Sequence, residues 1–158
     1  MARARRVEGL TPADSFRSAA GKVVATRTDE LFDHAAGVLD TADIERVHDM
    51  RVATRRLRAV LEIFAPCFPR KDHRSVLADV KRLADALGER RDPDVHIDSL
   101  GAIARALPRA DRPGIGTLVA KLSEEQAGAN ERLAQGLEEA ERSDLRGRLQ
   151  ALAEETQR

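Results

Sequence analysis

The stretch from Val47 to Phe64 runs VHDMRVATRRLRAVLEIF. Its apolar residues fall at Met50, Ala53, Leu57, Val60, Leu61 and Phe64, spacings that lay one face of an α-helix against a core. On a wheel of about 100° per residue with His48 at zero, Met50, Ala53, Leu57, Val60 and Phe64 gather between about 120° and 200°. Arg51 falls at about −60°, Arg55 at about −20° and Arg58 at about −80°, while Arg56 sits to one side at about +80°. One helix therefore carries a core stripe and a row of cations on opposite faces. From His48 to Arg58 the row spans roughly 15 Å. Such like charges repel by about 0.2–0.5 kcal/mol per pair. A polyanion facing the row offsets that repulsion; a solvated arginine face is the plainer alternative.

Outward from this helix, the pattern predicts an all-α bundle of about six helices. A first helix is expected from Thr11 as N-cap and Pro12 at the first helical position, ending near Asp40. The quoted helix is the second, from about Asp43 to before Pro66. A third is expected from Lys71 to Leu87, with Gly88 as its C-cap, and a fourth from Asp92-Pro93 to about Leu107. A long fifth follows Pro113-Gly114 to about Arg142, and a sixth opens at Ser143-Asp144. No low-complexity linker interrupts the chain. Residues 1–10 read as a flexible basic N-terminus and 11–158 as one domain.

Composition narrows the chemistry. There are four Phe and no Trp or Tyr, so the core must be aliphatic, and stacking platforms for single-stranded nucleic acid are scarce. Net charge is zero, yet residues 46–91 hold 12 basic against 6 acidic side chains. The flanks are acidic, with 3 against 7 over residues 10–45 and 5 against 9 over residues 122–158. A basic middle between acidic flanks implies one anion-facing surface. Arg outnumbers Lys by 23 to 4, which suits bidentate phosphate recognition, although a GC-rich genome gives the same bias. On the expected third helix, Arg74 and Lys81 share a face, and Arg82, Arg90 and Arg91 follow. The lone Cys67 excludes an internal disulfide. No signal peptide and no membrane-length apolar run is present, so the cytosol is the expected location, with no membrane partner.

Two segments carry a resemblance. Val47-His48-Asp49-Met50-Arg51-Val52-Ala53-Thr54-Arg55-Arg56-Leu57-Arg58 resembles the signature of the CHAD family, the conserved-histidine α-helical domain. The stretch from Leu83 to Val95 is similar to that family's Leu-Gly-x-x-Arg-Asp-x-Asp-Val segment. The resemblance covers residues 11–107 best. It implies a helical fold with a basic groove that binds inorganic polyphosphate and, in some members, a location on polyphosphate granules. By the same resemblance the phosphate-facing residues are His48, Arg51, Arg55, Arg56 and Arg58, supported by Lys81, Arg82 and Arg91. Family members run to two similar halves, but no second His-x-x-Arg-x-x-x-Arg run follows residue 110. A homodimer pairing two basic helices across a two-fold axis would restore the groove.

Other chemistry is not expected. His34, His48, His73 and His96 are not paired at three or four residues' separation, so no metal site is expected. There is no Gly-rich phosphate loop, Ser/His/Asp grouping or phosphohydrolase-like carboxylate cluster, hence no expected catalysis or cofactor. Two competing functions remain: a nucleic-acid binder using the same row, with nucleic acid the weaker competitor of polyphosphate, and a protein-interaction scaffold.

Overall fold

The computed structural model describes residues 3–157. Among them there are five α-helices and no strand: α1 (Phe16–Asp33), α2 (Ile44–Ile63), α3 (Arg70–Ala106), α4 (Arg112–Arg142) and α5 (Leu145–Glu155). The all-α class is as predicted, but the expected third and fourth helices are one. Pro93 lies inside α3, where a proline removes an N–H and crowds the carbonyl one turn back. The helix nevertheless continues, because Leu87, Arg90, Pro93 and Asp94 form one buried face alongside α4. Gly88 and Asp92 are therefore mid-helix residues rather than caps.

The start of α1 also differs. Thr11 to Asp14 form a turn, with Asp14 N–H donating to the Thr11 carbonyl (3.1 Å) and Thr11 N–H to the Asp14 carboxylate (2.7 Å). The N-cap is Ser15, whose Oγ accepts from Ser18 N–H at 3.1 Å. At its other end α1 stops at Asp33, and the chain turns through Gly37, whose φ of +71° favours glycine.

α1 packs on α2 and α5, α2 on α3, and α3 on α4 and α5. Val24, Leu31, Met50, Leu57, Leu61, Val80, Leu87, Leu133 and Leu149 meet in a single core, almost wholly aliphatic as the composition demands. α1 and α5 approach closely at Gly21. A Cβ there would meet the Thr156 and Gln157 side chains and come within 2.6 Å of the Ala153 carbonyl, which only a glycine avoids.

Beyond Asp94 the character changes. From Val95 through Gly128 no residue is buried, so the end of α3 and the start of α4 form a helical hairpin without a third layer. A buried polar cluster ties down its root. Arg90 and Asp94 pair with their side chains fully buried; Arg90 Nε donates to Asn130 Oδ1 (3.0 Å), and Gln126 Nε2 to Asp94 Oδ1 (2.6 Å).

Candidate functional site

α2 packs on α1 and α3, and the side turned away from the core is free for the cations. Val47, Met50, Ala53, Thr54, Leu57 and Leu61 are buried, while Arg55 and Arg58 are exposed and His48 and Arg51 partly so. The opposition of core stripe and basic row is therefore real. His48, Arg51 and Arg55 have no hydrogen-bond or ion-pair partner among the described residues.

The other predicted residues are engaged. Arg56 turns toward α1, where its Nη1 donates to Glu30 Oε1 at 2.8 Å. Glu30 is only 2 % exposed and also pairs with Arg27, so Arg56 helps neutralise a buried carboxylate. Arg58 Nε donates to Glu62 Oε1 at 3.0 Å, and the same oxygen lies 3.5 Å from Lys81 Nζ. These two cations hold the Glu62 carboxyl below the usual carboxylate range, Arg58 contributing more than Lys81. Arg82 pairs with Asp79, an acid that Arg148 of α5 also reaches at 2.7 Å, so Arg82 faces away from α2. Arg91 Nη1 donates to the Ile44 carbonyl (3.0 Å), and its Nη2 lies 3.6 Å from Glu45 Oε1. The structure thus gathers His48, Arg51, Arg55, Arg58 and Lys81 along the α2–α3 side. Arg56 stands toward α1, Arg82 toward α5, and Arg91 at the start of α2.

Three features lie outside what the sequence pattern suggests. Arg70 and Lys71 join Arg74, which the sequence already set on the Lys81 face, in a shallow groove on the first turns of α3, with no ion pair among the described residues. The contact of His73 Nε2 with the Leu61 carbonyl (2.8 Å) sets this end of α3 beside the end of α2, so the cationic surface continues past Arg58. Only their position beside α2 distinguishes these residues from any charged first turn, and that needs the fold. Second, the ligand atoms of Glu45, His48 and Asp49 lie within 4.8 Å of one another on one helix face. A search for paired histidines passes over this group. Third, Glu62, one turn past Arg58, stands between Arg58 and Lys81 and so inside the cationic face.

The family model of the CHAD domain matches residues 22–158. The chain belongs to the CHAD domain family. The match begins inside α1 and runs through α5, so it extends well past the two motif segments of this CHAD chain. Comparison with curated proteins and with solved structures found no match. Both signature segments fall on helices: the first on the exposed and core faces of α2, the second on the middle of α3.

Proposed function

We propose that this CHAD chain is a non-catalytic module that binds inorganic polyphosphate along the exposed face of α2. The observation that carries the reading is the unpartnered trio His48, Arg51 and Arg55 on that face, within the family's own motif. The two guanidiniums and, when protonated, the imidazole offer donors and charge to successive phosphates. Arg58 and Lys81 lengthen the track. The open stripe suits a chain ligand better than a compact one. Placement on polyphosphate granules follows from the same affinity.

Aromatic exposure weighs against nucleic acid as the preferred ligand. Phe68 is buried and Phe32 and Phe64 are partly so; Phe16, 57 % exposed and 4.8 Å from Phe64 between centroids, is the one well-exposed ring among the described residues, too few platforms for successive bases. Pairing of two copies, which would set two rows together, belongs to the same proposal; the layerless hairpin, with Val95, Ile103 and Leu118 exposed, offers it an apolar surface.

The test is titration with long-chain polyphosphate at several salt concentrations. Each phosphate that is no longer neutralised by a side chain is expected to reduce the slope of log K against log salt by about 0.7–0.9. Arg51→Ala with Arg55→Ala should lower both affinity and slope, at an unchanged helical signal. Unchanged binding, or displacement of polyphosphate by nucleic acid at equal salt, would overturn the proposal.

A further inference from the structure

We propose that Glu62 divides the cationic face into an open section and an occupied one, and so lowers the preference the site would otherwise have for longer ligands. The inference rests on the polyphosphate reading above. His48, Arg51 and Arg55 form the open section. Arg58 and Lys81 form the occupied one, because both address a single oxygen of Glu62 at 3.0 and 3.5 Å. That carboxylate oxygen takes the place a phosphate oxygen would take. All three side chains are 44–46 % exposed, so the arrangement is open to an incoming chain rather than locked in the core. The Glu62 carboxyl, held below the usual carboxylate range, is ionised at neutral pH and addresses both cations in the absence of a ligand.

A short phosphate chain can seat over His48, Arg51 and Arg55 without approaching Glu62. A longer chain runs on, past Arg58, toward Arg70 and Arg74 at the start of α3. It must displace Glu62 from both cations. Exposed pairs of this kind are weak, so displacement is feasible but not free. The cost falls on the long ligand alone. Glu62 is thus a specificity-determining residue that lowers the advantage a longer chain would otherwise gain from its greater reach.

The experiment measures the affinity of inorganic triphosphate and of long-chain polyphosphate for the wild-type chain, for Glu62→Gln, and for Arg51→Ala with Arg55→Ala. Glu62→Gln keeps the size of the side chain and removes its charge. It should tighten long-chain binding about three- to tenfold, from two exposed pairs released, and alter triphosphate binding by less than about twofold. An equal gain on both ligands, or none on the long chain, would overturn the proposal while the Arg51/Arg55 variant still loses binding to both. Wild-type binding that the Arg51/Arg55 variant retains would instead overturn the polyphosphate site itself. A melting curve for Glu62→Gln close to wild type confirms that binding, not folding, is being read.

Discussion

Arg55 and Arg56 are neighbours with different surroundings. Arg55 points to solvent with no partner among the described residues, while Arg56 is bound to the buried Glu30. The wheel already set Arg56 about 80° off the row, so its departure was legible in the sequence. Its partner was not, because Glu30 lies on another helix and nothing in Asp29-Glu30 marks one as core and the other as surface. Glu62 is similar: its place in sequence was plain, but its capture by Arg58 and Lys81 needs α3 alongside. A second carboxylate makes a sharper residue-scale prediction. The Asp14 carboxyl is held well below the usual range, first by Lys22 Nζ at 2.6 Å, then by the Thr11 N–H. A depressed carboxyl stabilises the fold above its ordinary value, near pH 3.9, and that contribution is lost as pH falls toward the lower folded value. The Thr11–Asp14 turn should therefore stay intact at about pH 4 and loosen only below it. The Thr11 amide chemical shift, followed by NMR from about pH 5 downward, checks this; a midpoint at the ordinary carboxylate value would show that Lys22 does not hold Asp14.

At the scale of elements, α3 is the main departure from the sequence reading. Asp92-Pro93-Asp94 is a sound helix-start pattern, and Gly88 a sound stop. Tertiary burial outweighed both: one helix face presents Leu87, Arg90 and Asp94 to α4, and breaking the helix there would strand the Arg90–Asp94 pair. That pair is buried without solvent access, and removal of one partner leaves the other charge uncompensated. Arg90→Met should cost about 3–5 kcal/mol of unfolding free energy, and Arg90→Met with Asp94→Leu should recover most of it. Denaturant titration of the two variants distinguishes this from a simple packing loss, in which the second substitution would add to the first.

For the whole molecule, the division between bundle and hairpin sets where stability resides. The bundle contains the buried core residues, whereas residues 95–128 have none. Hydrogen exchange should be slow for the core turns of α1, α2 and α5 and fast for the hairpin in dilute protein. If two copies pair through the hairpin, its exchange should slow as concentration rises while the bundle stays constant. Fast exchange at every concentration would remove the hairpin as the pairing surface.

The packing of α1 against α5 has a kinetic consequence. Arg17 Nη2 donates to the Glu155 carbonyl at 3.0 Å, and Gln157 Nε2 to the Ser18 carbonyl at 2.9 Å. α1 is therefore covered by a helix made more than a hundred residues later. Until α5 has emerged, Val24 and Leu31 lack the Leu149 and Leu152 side of their core, and the nascent chain holds an unfinished apolar seam. Such distant pairings slow folding relative to a bundle built only from adjacent helices.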